Sequence, residues 1–191
     1  MTIAGIPVNW TAASRTNEYR FLALAFSDPY CRFEDITQGG CLPAPHPDFP
    51  TAFTEAFDPA VSKKACSLWE GAYVSQDRSG LFEDLVRFYE HFGLCRLEDA
   101  ELPDHVTVEL QFMHFLTFVE HEGSPSQDNT ISLCLAQRDF LSRHLLRLAR
   151  GIQANCRSTE PRVVAMTQRL KMFVSSDFEE ISRRCGNMVA T

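Results

Sequence analysis

Apolar positions recur at three- and four-residue spacing along most of the chain, and strict alternation is scarce. Residues spaced this way share one face of a helix, so the pattern predicts helices rather than strands. The first helix should run from about Ser14 to Ser27, with Leu22, Ala25 and Phe26 inward and Asp28-Pro29 as its stop. The Gly/Pro-rich stretch around Gly39 to Pro47, taken as a loop over 39–50, cannot hold regular structure. Asp58-Pro59 has the form of a helix start, a capping carboxylate followed by proline at the first helical position. The helix predicted after it carries Val61, Ala65, Leu68, Trp69 and Ala72. Another spans Gly80 to Phe92, with Leu81, Leu85, Phe88 and Phe92 on one face and Gly93 as a left-handed cap.

The segment from Leu102 to Gly123 carries two stripes at helical spacing. Val106, Leu110, Met113 and Leu116 form one; Val108, Phe112, Phe115 and Val119 form the other. A helix apolar over most of its circumference is expected to be central and packed on several sides. Gly123-Ser124-Pro125 should end it. A further helical run from Thr130 to Ala149 is expected, with a bend near Ser142. The last helix begins after Ser158, has Pro161 in its first turn, and directs Val163, Met166, Leu170, Val174, Phe178, Ile181 and Cys185 inward, with Ser175-Ser176 as a second candidate bend. The expectation is an all-α, single-domain helical bundle over 1–191, with its ordered helical core at 14–188.

Composition narrows the function classes. The 191 residues carry 18 Lys and Arg against 25 Asp and Glu, a net charge of −7. That balance argues against a nucleic-acid partner, whose reader needs a basic surface to neutralise phosphates. Hydrophobic residues make up 45% and charged residues 23%, so the chain can build a core without disulfides or metal. The seven cysteines are scattered and contain no Cys-x-x-Cys pair, which removes a local zinc or cluster motif. They are expected to be reduced thiols. No basic region followed by an apolar stretch opens the chain, and no window of about 18 uninterrupted apolar residues occurs. A cytoplasmic protein without membrane insertion is expected.

Standard catalytic signatures are missing: no nucleophile elbow, phosphate-binding loop, dinucleotide turn or His-Glu-x-x-His. His114 and His121 share a helix face, but no carboxylate pattern accompanies them, so ordinary hydrogen-bonded or solvent-facing histidines are expected. Asp104-His105 has two readings. Asp104 stands at a helix start, where a carboxylate caps or favours the dipole, and His105 lies one turn before Glu109. The alternative is a polar spot beside an apolar groove, suited to a peptide with basic and apolar parts. Glu98, Asp99, Glu101 and Asp104 cluster in sequence, a pattern shared by solvated loops.

Residues 102–116, Leu-Pro-Asp-His-Val-Thr-Val-Glu-Leu-Gln-Phe-Met-His-Phe-Leu, resemble the Pro-Asp-His-x-x-x-Glu-Leu-x-Phe-Met-x-x-Leu signature of the TorD/DmsD redox-enzyme maturation chaperones, to which NarJ-type nitrate reductase assembly chaperones are related. Arg15, Tyr19, Leu22-Ala23, Phe26 and Pro29 are similar to the family's opening helix. Phe88-Tyr89 through Phe92-Gly93-Leu94 resembles the element before the signature, and Phe140-Leu141-Ser142-Arg143-His144-Leu145 a later one. Leu148 stands where many members have tryptophan, and Trp69-Glu70-Gly71-Ala72-Tyr73-Val74 replaces a Pro-Tyr-Glu segment, which leaves the branch and the client open.

The resemblance implies an all-helical cytoplasmic chaperone, not an enzyme, with no metal or other cofactor of its own. Its partner is expected to be the catalytic subunit of a molybdenum oxidoreductase of the dimethyl sulfoxide reductase type, bound as apoprotein or through its twin-arginine signal peptide until the cofactor is inserted. It carries Asp104 and His105 into the client-binding region, with Glu109, Trp69, Glu70 and Tyr73 as neighbouring candidates. A monomer or homodimer is expected. The rival is an accessory structural subunit retained in the finished oxidoreductase complex.

Overall fold

Tyr19, Leu22 and Phe26 sit three and four residues apart and are at most 1% exposed, so α1 (Ala12–Ser27) turns one apolar face fully inward. The computed structural model describes residues 10–27, 46–75, 77–95, 100–123 and 127–189, together with residues 29 and 42. Asp28, Ser124-Pro125, Glu98-Asp99 and most of the Gly/Pro-rich stretch lie outside the described residues. After α1 come α2 (Phe49–Phe57), a single 3-10 turn (Glu70–Tyr73), α3 (Arg78–His91) and α4 (Val106–Glu122). Then follow α5 (Gln127–Phe140), a π-helical turn (Leu141–Leu145), α6 (Leu146–Asn155) and α7 (Pro161–Val189). Among the described residues there is no strand, only an isolated antiparallel bridge between Trp69 and His105. The fold is all-α.

Most of the predicted helices are present. α1 packs along α4, while α5 and α6 pack on α7. Gly93 adopts φ +73°, the left-handed conformation that only a residue without Cβ takes cheaply, and closes α3. The run from α5 to α6 passes through the π-turn at Ser142, where a bend was expected. α7 shows no break at Ser175-Ser176.

Five expectations are corrected. Asp58-Pro59 ends a helix instead of starting one: the Asp58 amide donates to the Thr54 carbonyl as the cap of α2, and its side chain accepts from the Ala60 amide. The stripe that matters there is Phe49, Phe53 and Phe57, all buried, so the loop taken to run to residue 50 stops before Phe49. Val61, expected inward, is 57% exposed. Cys134 and Cys185, expected as free thiols, form a disulfide that ties α5 to α7 across 51 residues of chain. Lastly, only the first stripe of α4 is buried throughout; Val108 and Phe115 are half-buried and Val119 is exposed.

A buried ionic cluster joins the layers. Arg15 donates through Nε to Asp177 Oδ1 at 2.5 Å and through Nη1 to Glu120 Oε2 at 2.8 Å, and Tyr19 donates to Asp177 Oδ2 at 2.5 Å. Burial disfavours the charge of Arg15, but Asp177 beside it outweighs that penalty and raises its pKa above the ordinary value. Asp177 lies on α7 and Glu120 on α4, so Arg15 ties α1 to both helices.

Candidate functional site

The chain enters α4 through a turn at Pro103-Asp104 in which the His105 amide donates to the Leu102 carbonyl. His105 is the N-cap: its Nδ1 lies 2.7 Å from the Thr107 hydroxyl and accepts from the Thr107 amide. Asp104 therefore sits just before the cap. Its carboxylate instead accepts from the Gly71 amide at 3.1 Å and from Arg78 at 3.5 Å.

The extended segment before the 3-10 turn is laced to this entry. The Val106 amide donates to the Leu68 carbonyl, and the Glu70 amide to the Asp104 carbonyl. Trp69 packs edge-on against the His105 ring at 5.0 Å. Glu70, fully buried, accepts from His144 Nδ1 at 3.1 Å and from Arg147 Nε at 3.0 Å. His144 Nε2 lies 3.2 Å from Asp84, which also pairs with Arg143. The π-turn sets this contact, because it turns Leu141, His144 and Leu145 inward together. Phe88 and Phe140 line the two sides of the His144 ring.

All six candidate residues thus converge on one place, but most of them do not face solvent. Asp104, Glu70 and Glu109 are 0% exposed and His105 is 6%. Trp69 and Tyr73 are half-buried; the Tyr73 hydroxyl donates to the Ser67 carbonyl at 2.6 Å. Glu109 has no hydrogen-bond partner for either carboxylate oxygen among the described residues. Burial first, then the neighbouring Glu70 and Asp104, push its pKa well above the usual carboxylate range. Burial also lowers the pKa of His105 and so favours its neutral ring. Four of the six residues expected at the client surface are therefore buried, and Trp69 and Tyr73 are half-buried. His114 donates through Nδ1 to the Thr16 carbonyl at 3.0 Å and His121 is exposed, and no metal-holding group of His, Cys, Asp and Glu occurs among the described residues.

The accessible feature lies on the other side of α4. Val108, Phe112 and Phe115 floor a cavity of about 480 Å³ whose walls are Val86, Tyr89, Leu94 and Pro103 and whose rim carries Glu90 and Glu101. A separate cavity of about 400 Å³ is lined by Val119, Phe92 and Leu133. Together they follow the second apolar stripe of the helix. The stripe was legible in the sequence; its exposure was not, because periodicity does not tell which face a neighbour covers. Tyr89 anchors the wall by donating to the Pro103 carbonyl at 2.8 Å.

An all-helical protein with a buried polar hub behind an apolar, acid-rimmed groove is the class that this geometry defines. The chain belongs to the family described as nitrate reductase delta subunit, which matches residues 43–151. It is 36% identical over 139 residues to the perchlorate reductase assembly chaperone protein of Dechloromonas aromatica (strain RCB), covering 70% of this chain and 62% of that one. It is 34% identical over 132 residues to the selenate reductase assembly chaperone protein of Thauera selenatis, covering 66% and 68%. The chlorate reductase assembly chaperone protein of Ideonella dechloratans is 31% identical over 106 residues, covering 54% and 55%. The match thus spans under two thirds of the perchlorate and chlorate relatives. These relatives are assembly chaperones, not catalysts, and the resemblance to redox-enzyme maturation chaperones agrees with the family found. No helix among the described residues is long and apolar enough to cross a membrane.

Proposed function

We propose that this protein is a cytoplasmic, non-catalytic assembly chaperone for the catalytic subunit of a molybdenum reductase of the dimethyl sulfoxide reductase type. It binds the apoprotein through the N-terminal twin-arginine signal and holds it until cofactor insertion, with no tight cofactor of its own, as a monomer or homodimer. The observation that carries the reading is the groove along α4. A twin-arginine segment has a cationic head and an apolar middle, and it needs an apolar trough with a carboxylate at its edge. The Val108, Phe112 and Phe115 floor supplies the trough, and Glu90 supplies an exposed carboxylate at its rim.

In this reading Asp104, His105, Glu109, Glu70, Trp69 and Tyr73 serve the client from behind, by fixing the start of α4 and the wall that Pro103 provides. The names of the relatives support the assembly role, since each is a chaperone for one reductase.

Calorimetric titration of the client's signal peptide tests the proposal. Phe115→Ala and Val86→Asn are expected to weaken binding about tenfold or more, because a buried Phe contributes roughly 1.5–3 kcal/mol. Glu90→Gln should weaken it less and flatten its salt dependence. A peptide that binds these variants as tightly as the unaltered protein refutes the groove. Copurification separates the chaperone from the rival accessory subunit: a chaperone is absent from the mature exported enzyme, and stoichiometric retention there overturns the proposal.

A further inference from the structure

In a chain of net charge −7, three exposed cations with no carboxylate partner among the described residues line one cavity. Lys63, Lys64 and Arg157, with Ala65 and Asn155, line a cavity of about 560 Å³. An adjoining cavity of about 290 Å³ adds the hydroxyl-bearing Ser62, Ser158 and Thr159 beside Lys64 and Arg157. None of the three cations has an ion pair among the described residues, whereas nine of the arginines do: Arg15, Arg78, Arg87, Arg138, Arg143, Arg147, Arg169, Arg183 and Arg184. Like charges held together repel, so a cluster of this kind is an electrostatic cost to the unliganded fold.

The backbone around the cluster is tightly held although it is not helical. Val61 and Ser62 amides both donate to the Asp58 carbonyl, Ala65 donates to Ser62, and Cys66 donates to the Ala56 carbonyl. The Cys66 thiol reaches the Ile152 carbonyl at 3.4 Å, and the Cys156 amide donates to that same carbonyl. Cys66 and Cys156 thus meet at one carbonyl, and the exposed Lys63, Lys64 and Arg157 beside them line one cavity from two segments far apart in sequence. Two carboxylates line the smaller cavity. Glu160 is engaged, accepting from the Val163 amide at 2.7 Å at the start of α7, and Glu55 stands on the exposed side of α2. Among the described residues the larger cavity has no carboxylate in its lining.

We propose that this cleft is an anion site for a phosphate-bearing ligand, with Lys63, Lys64 and Arg157 as its charged contacts. Concavity, three convergent cations and adjacent hydroxyls match a compact polyanion such as a diphosphate, which accepts several charge-assisted hydrogen bonds at once. The site shares no residue with the α4 groove, so it stands whether or not the groove binds a signal peptide.

The test uses the whole protein and inorganic pyrophosphate as the probe, followed by calorimetry at low and at physiological salt. Saturable one-to-one binding is expected, weakened roughly five- to tenfold by Lys63→Ala and by Arg157→Ala, and at least additively by the pair. Arg20→Ala, which removes an exposed cation on α1, should leave binding unchanged. Melting of the Lys63 and Arg157 variants should be unchanged or slightly raised, since repulsion is relieved, so lost binding is not lost folding. The proposal is overturned by the absence of saturable pyrophosphate binding, by full binding in the double variant, or by an acidic peptide that binds the cleft more tightly than pyrophosphate does.

Discussion

Glu109 concentrates the chemistry of the buried hub in one side chain. It is fully buried beside Glu70 and Asp104, and these neighbours together with burial favour its protonated form. The folded state then holds a proton that the unfolded chain releases near pH 4–5, the ordinary range of a glutamate (about 4.3). Stability from this group is therefore present below that range and is lost as pH rises towards the folded pKa. Glu109→Gln keeps the shape and removes the titration. It is expected to raise the melting temperature at pH 7 by a few degrees, corresponding to about 1 kcal/mol, and to flatten its decline between pH 5 and 8. Thermal melts across pH check this; equal pH dependence in both proteins refutes the protonated Glu109. The motif glutamate was legible as a residue of the signature, but its protonation was not, because that depends on Glu70, thirty-nine positions away in sequence.

At the scale of elements, the 3-10 turn Glu70–Tyr73 and the helix α6 meet with almost no clearance. A Cβ built on Gly151 lies 2.5–2.7 Å from Tyr73 ring atoms. Alanine there gains helix propensity worth about 1 kcal/mol, yet it must displace the ring and with it the turn that carries Glu70 to His144 and Arg147. Overpacking of this kind costs about 1–3 kcal/mol. Gly151→Ala is thus expected to lower stability by up to about 2 kcal/mol net in denaturant titration, and Gly186→Ala, with open space around it, to be neutral or stabilising. A stabilised Gly151→Ala protein contradicts the packing described. The π-turn belongs to the same scale: the bend was expected near Ser142 from the sequence, while its use, turning His144 onto Glu70, required the other partner.

For the whole molecule, the disulfide between Cys134 and Cys185 bears on how α7 is held. Closing 51 residues of chain restricts the unfolded state by an upper estimate of about 4 kcal/mol. A reductant is expected to lower the melting temperature, and denatured protein should yield two more reactive thiols after reduction than before. Equal thiol counts would show the pair to be reduced, leaving α7 held by packing, by the Asp177 cluster and by the Arg169–Glu18 and Arg184–Glu120 pairs. Cys134 and Cys185 are 3% and 2% exposed, so reduction is expected to be slow in the native state.

The sequence by itself determined the helices, because helical periodicity and the caps are local: the buried stripe of α4, Gly93 after α3 and Pro161 at the start of α7 all follow from residues within a few positions of one another. It also carried the signature that marks the family. It did not separate helix start from helix stop at Asp58-Pro59, since an aspartate and a proline suit both ends, and only the Phe49, Phe53 and Phe57 contacts with the core decide between them. Tertiary structure alone decided which apolar stripe of α4 stays open, and that Asp104, His105 and Glu109 point into the protein. It also set Cys134 against Cys185, and Lys63 and Lys64 against Arg157. Each of those outcomes rests on pairs of residues far apart in the chain. Their separation is fixed by how whole helices pack, and no local pattern encodes that distance.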